Sequence, residues 1–208
     1  MARVRDVEID EVPERAQDVY RRFARDYGPF LNQVKVFAHR PPVLEHVMGL
    51  LLDLADEALL PKRALEIALV VVSKRNECVY CVAHHVPRLV EQGLPADTVA
   101  RILEPDCPGL DAVDRVVRDW ALQVTDAPSR VRDAQLAELR RHFTEAQIVE
   151  LTVRVALTGF FTRVNDALGI EMEPGVLEDM VAHGGRPEHL PAHHGHATDG
   201  AGRTGAGI

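Results

Sequence analysis

Two cysteines and two histidines fall within eight positions of the segment Glu77-Cys78-Val79-Tyr80-Cys81-Val82-Ala83-His84-His85. Residues three apart on a helix occupy neighbouring edges of one turn, so the Cys78 and Cys81 thiols approach each other. A disulfide spans Cα separations of roughly 4.4–6.8 Å, a range that an i, i+3 helical pair meets. His85 lies four residues beyond Cys81 and stacks on the same face. Free N–H groups and the positive end of the dipole favour a thiolate at a helix start, and Cys78 is nearest that end. An imidazole beside Cys81 is placed to take its proton, and a buried carboxylate would fix the imidazole's tautomer. Glu66 is the candidate, because it interrupts an apolar run where an unpaired charge is expensive. Thiol, thiol, base and acid together form a redox constellation. The same residues also admit two quieter readings. Cys78, Cys81 and His85 are three zinc ligands that Cys107 would complete, and buried cysteines can pack as inert small hydrophobes.

Positioning these groups requires helices. A first helix is expected from Pro13 to about Tyr27, closed by Gly28-Pro29, and Phe30–Arg40 reads as a short helix or packed connection. Pro41-Pro42 opens a long helix to about Leu60, and Pro61 suits the first turn of the next. Residues 62–76 are apolar almost all round, which marks a helix at the centre of a bundle. The motif helix follows over about 78–92 and ends at Gly93. Further helices are expected to Leu103, over Asp111–Thr125, over Asp133–Phe143, from a capped start at Thr144 to Leu168, and to Val181. The fold class is all-α, with a helical domain over 1–182 and a disordered Gly/His-rich tail over 183–208. In this frame Glu150, Arg163 and Asn165 read as ion-pairing or helix-end residues, His84 as packing or surface, and Cys107 as a spare thiol.

Composition narrows the function. The net charge of −8 argues against a nucleic-acid partner held through phosphates. No apolar stretch approaches the ~20 residues of a membrane helix, and the first residues lack the apolar core of a secretory signal. Three cysteines do not make a disulfide-stapled secreted domain. The expectation is a cytoplasmic protein, where Cys-x-x-Cys is more often catalytic or metal-binding than structural.

A Glu twelve positions before Cys-x-x-Cys-x-x-x-His, spread over two consecutive helices, resembles the signature of the AhpD-like alkylhydroperoxidases within the carboxymuconolactone decarboxylase family. Glu66, Cys78, Cys81 and His85 occupy its positions, Glu91-Gln92-Gly93-Leu94 is similar to the usual helix exit, and the likeness runs from about residue 30 to 175. The resemblance implies an AhpD-like helical bundle that forms homo-oligomers and reduces hydroperoxides through a Cys78–Cys81 dithiol–disulfide cycle, an antioxidant activity. It implies Cys81 as the attacking thiol, Cys78 as its resolving partner, and Glu66 with His85 as the proton relay. A thioredoxin-like or lipoyl protein would be the reductant, and no metal, flavin or haem is required. One position departs from the pattern: the best-known members carry His immediately before the second cysteine, and this chain has Tyr80. A phenol titrates near ~10 and does not replace an imidazole as a base near neutral pH. The alternatives are a non-catalytic helical module with a zinc-binding or redox-sensing Cys-x-x-Cys, and a decarboxylase-type lyase, for which the cysteine pair has no use.

Overall fold

The computed structural model describes residues 2–27 and 30–190, and these form helices and connections with no strand among the described residues. Helix α1 (Glu14–Arg22) continues into a π turn (Phe23–Tyr27), and α2 (Leu31–Phe37) follows. Helix α3 (Pro41–Val43) runs through a second π turn (Leu44–Met48) into α4 (Gly49–Glu57). The expected long helix therefore exists but stops before Leu60, because Ala58 adopts a left-handed conformation at φ 48°.

Helices α5 (Lys62–Arg75) and α6 (Val79–Glu91) form the centre. They are followed by α7 (Ala96–Ala100), α8 (Ala112–Asp126), α9 (Asp133–Leu139), α10 (Glu145–Leu168) and α11 (Val176–Ala182). Every residue of α5 from Glu66 to Ser73 is buried, as an all-round apolar sequence demands. Fully burying one Val, Leu or Ile is worth roughly 1.5–3 kcal/mol, so Ile67, Val70, Val71 and Val72 contribute much of what holds α5 in place. Polar clamps fix its ends. Arg63 grips Asp114 of α8 with two bonds, Nε to Oδ1 at 2.9 Å and Nη2 to Oδ2 at 2.6 Å, and Nη1 donates to the Gln92 carbonyl. At the other end, Lys74 Nζ donates to the carbonyls of Val99 and Ala100, which end α7.

Two hydrophobic clusters flank this pair of helices. The larger gathers α5, α8 and α10 around Val82, Val86 and Leu89 of α6. The second is an N-terminal layer in which Phe23, Phe30, Val34, Phe37 and Met48 cover Cys78, Tyr80 and Cys81. The motif is thus roofed by residues from the first fifty positions. No helix of the described residues is long and apolar enough to cross a membrane. Most of the expected Gly/His-rich tail lies outside the described residues. Its first part, 183–190, makes a turn and a 3-10 turn (Pro187–His189), and Leu190 packs on the larger cluster.

Candidate functional site

The joint between α5 and α6 sets the cysteine geometry. At the end of α5 the Cys78 N–H donates to the Ser73 carbonyl and the Glu77 N–H to the Lys74 carbonyl, with Glu77 left-handed at φ 57°. These are the two bonds of a Schellman motif, in which the left-handed residue is usually Gly. A side chain there costs roughly 1–2 kcal/mol, so the tight turn is maintained against its local preference. Its result is that Cys78 both completes the end of α5 and caps α6: its Sγ accepts the Cys81 N–H at 3.3 Å. Both sulfurs are buried and unbonded to each other, as free thiols.

Helix-start electrostatics would favour a Cys78 thiolate, and the structure reverses that expectation. The hydrogen bond with the Cys81 side chain, burial, and charge on the Cys81 sulfur all push the Cys78 thiol far up, outweighing the cap bond from the Cys81 N–H. Cys78 therefore stands as a neutral thiol beside Cys81. The Cys81 sulfur receives a further donor, Nδ2 of Asn165 on α10 at 3.4 Å.

Glu66 and His85 meet, as their spacing suggested: Nδ1 of His85 lies 3.1 Å from Oε2 of Glu66, both side chains being nearly buried. Arg88 Nη1 stands 3.9 Å from the other Glu66 oxygen. A carboxylate facing Nδ1 keeps the proton on that nitrogen and leaves Nε2 as the basic lone pair. Burial pushes the imidazole below its ordinary value of 6.5, and Arg88 and His84 add to this, while the charge and hydrogen bond of Glu66 oppose it. His85 is consequently neutral near pH 7. In the unfolded chain it protonates below about 6.5, so there the unfolded state binds more protons and stability is lost as pH falls. We expect the urea midpoint to drop between about pH 7 and pH 5, with the drop reduced in His85→Gln; an equal drop in both proteins would exclude His85 as its source.

Around these four residues the fold adds groups that local spacing could not reveal. Asn165, read from the sequence as a helix-end residue, points its amide at Cys81, and its Oδ1 accepts from Gln33 Nε2 of α2 at 2.9 Å. Tyr80 donates its hydroxyl to Glu173 Oε1 at 2.9 Å, and burial and the Glu173 charge push its phenol far up, so it is no base. Glu173 also accepts the Asn32 N–H at 2.7 Å and faces Nε2 of His84 at 2.8 Å. His84 is buried, with Phe30 stacked 4.7 Å away. It thus packs beneath the roof. Glu150 pairs with Arg154 at 3.4 Å, as its helical setting suggested. Cys107 does not join the motif. It belongs to the larger cluster, where its thiol donates to the Thr98 carbonyl, and among the described residues no three His, Cys, Asp or Glu side chains converge as metal ligands.

Two cavities border the site. The inner one, about 40 Å³ for the centre of a water-sized molecule, is lined by Cys81, His85, Asn165 and the rings of Phe30, Tyr80 and Phe161. A single water needs roughly 10–15 Å³ by this measure, so the chamber takes a group of a few atoms. The outer one, about 290 Å³, is bordered by Glu66, Arg88 and Glu150 on its polar side and Leu60 and Leu65 on its apolar side. Leu69 and Arg154 border both. The His85–Glu66 bond therefore crosses the wall between them.

Residues 41–127 match the carboxymuconolactone decarboxylase family, a span that contains Glu66, Cys78, Cys81 and His85. No curated protein matches the chain. Among solved structures, an alkylhydroperoxidase AhpD core, an uncharacterized peroxidase-related protein from Ralstonia eutropha JMP134, superposes with a TM-score of 0.69. It is 24% identical over 85% of this chain and 94% of that one. The debrominase Bmp8, in a cysteine-to-alanine variant with bound 2,3,4-tribromopyrrole, superposes at 0.68 with 16% identity over 86% and 95% of the two chains. An uncharacterized peroxidase-related protein from Silicibacter sp. TM1040 reaches 0.64 with 20% identity over 85% and 94%.

Proposed function

We propose, on the match to the carboxymuconolactone decarboxylase family over residues 41–127 and the AhpD-like helical fold, that the chain is a thiol-dependent peroxidase cycling Cys78 and Cys81 between dithiol and disulfide. The observation that carries the reading is Cys81 in one small chamber with His85, whose far side is held by Glu66.

In the first step the Cys81 thiol proton passes to His85 Nε2. The thiolate attacks the terminal oxygen of ROOH, the O–O bond breaks, and the departing alkoxide takes a proton from His85 to leave as ROH. Cys81 is then a sulfenic acid. Cys78 attacks that sulfur as its proton passes to the departing hydroxyl, so that the S–S bond forms, the S–O bond breaks and water leaves. A dithiol protein of the thioredoxin-like or lipoyl class reduces the disulfide, becoming a disulfide itself and restoring both thiols.

The –OOH head occupies a few atoms and enters a chamber of about 40 Å³ for the centre of a water-sized molecule, with its carbon chain outside. A zinc-binding module is disfavoured by the position of Cys107 in the other cluster. A homo-oligomer is part of the proposal, supported by exposed apolar side chains such as Val149 at 61% and Leu59 at 40%.

The test is a thiol count under denaturing conditions. The reduced chain has three thiols. One equivalent of an alkyl hydroperoxide should leave one, and dithiothreitol should restore three. A count that stays at three would overturn the reading.

A further inference from the structure

The amide pair behind Cys81 has no part in the cycle as written, although it touches the reacting sulfur. Asn165 and Gln33 are 2% and 5% exposed. Two buried amides held in a line are costly unless their bonds are made, and this line ends on sulfur: Gln33 Nε2 donates to Asn165 Oδ1, and Asn165 Nδ2 donates to Cys81 Sγ. The backbone fixes Asn165 as well. The Ile170 N–H donates to the Asn165 carbonyl and the Gly169 N–H to that of Asp166, with Gly169 at φ 62°. This is a second Schellman turn, with Asn165 as its last-turn acceptor. One such turn places Cys78, and the other places the donor to Cys81.

We propose that Asn165 is a further catalytic residue, whose amide N–H holds the Cys81 sulfur and favours its anionic form, and that Gln33 is the positioning residue that keeps the amide nitrogen turned toward sulfur. A donor aimed at an acceptor stabilises the acceptor's charged form, and does so more strongly in a buried site. In the peroxidase cycle this donor would serve twice, raising the thiolate fraction before attack and holding the sulfur's lone pairs in one direction during it. The inference deepens the peroxidase reading and rests on Cys81 as the attacking sulfur, but its test requires no peroxide.

Other ionisable groups act on the same sulfurs. Cys78, Tyr80 and His85 lie on the motif segment and Arg154 on α10, while Glu173 holds Tyr80 and Asp166 acts on Cys78. All are unchanged in the variants below, so a difference in pH profile reports the amide.

The experiment is alkylation of the reduced full-length chain by iodoacetamide, from pH 5 to pH 10, followed by mass spectrometry of the Cys81 peptide. Asn165→Leu should slow alkylation at pH 7 about tenfold, the effect of one hydrogen bond to a charged group. The plateau at high pH, where the sulfur is ionised without help, should match the parent. Gln33→Met, which leaves the Asn165 amide free to reverse, should move the profile in the same direction by less. If Asn165→Leu does not fold, Gln33→Met alone decides. An unchanged profile, a shift toward lower pH, or a lowered plateau with the midpoint unmoved would overturn the proposal. A shifted alkylation profile with no loss of thiols to hydroperoxide would keep the donor and reject the peroxidase cycle.

Discussion

Cys81→Ser should bring dithiol-supported hydroperoxide turnover down to background, a loss of about a thousandfold or more for a covalent nucleophile. Serine preserves the shape of the site and its hydrogen-bonding capacity but supplies no thiolate at neutral pH. Cys78→Ser should give a different phenotype, and the contrast is what makes the pair informative. Cys81 still attacks, so the first equivalent of peroxide is consumed at close to the parent rate. The sulfenic acid then lacks its resolving thiol and accumulates, where a dimedone-type trap labels it on the Cys81 peptide. If the roles were exchanged, the label would appear on Cys78 in Cys81→Ser. Equal multiple turnover by both serine variants would remove the dithiol cycle altogether.

The second large effect is expected from Glu66→Gln. The amide oxygen still accepts the His85 Nδ1–H, so the tautomer survives, but the negative charge is gone. Glu66 charge and hydrogen bonding are what oppose the downward push of burial on His85. Removing the charge makes the imidazole a weaker base, and single-turnover oxidation at pH 7 should slow by about a hundredfold, within the usual range for a general base. Because the substitution acts on proton transfer, raising the pH should recover much of the loss as the Cys81 thiol ionises without assistance. A rate unaffected at every pH would detach Glu66 from the chemistry.

Much of this architecture was legible from local sequence. The apolar run of α5, the thiol spacing of α6 and the Glu66–His85 approach all depend on helical periodicity, or on two helices joined by a short turn. What was not legible depends on distant chain. Asn165 and Glu173 reach the motif from 84 and 93 positions away, and Gln33 bonds Asn165 across 132 positions, and no periodicity links them to it. Asn165 sits near a helix end, where an amide is ordinarily a cap or pairing residue, and its sequence position reads as that and not as a donor to sulfur. The error over Cys78 has the same origin. A helix start does favour a thiolate when solvent can reach it, but here the hydrogen bond with the Cys81 side chain comes first, and burial beneath the N-terminal layer of Phe23, Phe30 and Met48 adds to it, so the Cys78 thiol is pushed up. The left-handed Glu77 was equally hidden, because the turn it makes is normally signalled by Gly.

The wall between the two cavities has a consequence for traffic during the proposed cycle. His85 fronts the small inner chamber, and Glu66 fronts the polar side of the roomier outer one. The proton that Cys81 gives up goes no further than His85 before the departing alkoxide takes it, so Glu66 serves from the outer cavity by holding the imidazole, while the uncharged oxidant and its alcohol product use the chamber. Bulk water then has no need to enter the compartment where a sulfenic acid waits, which keeps that short-lived species for its intended thiol.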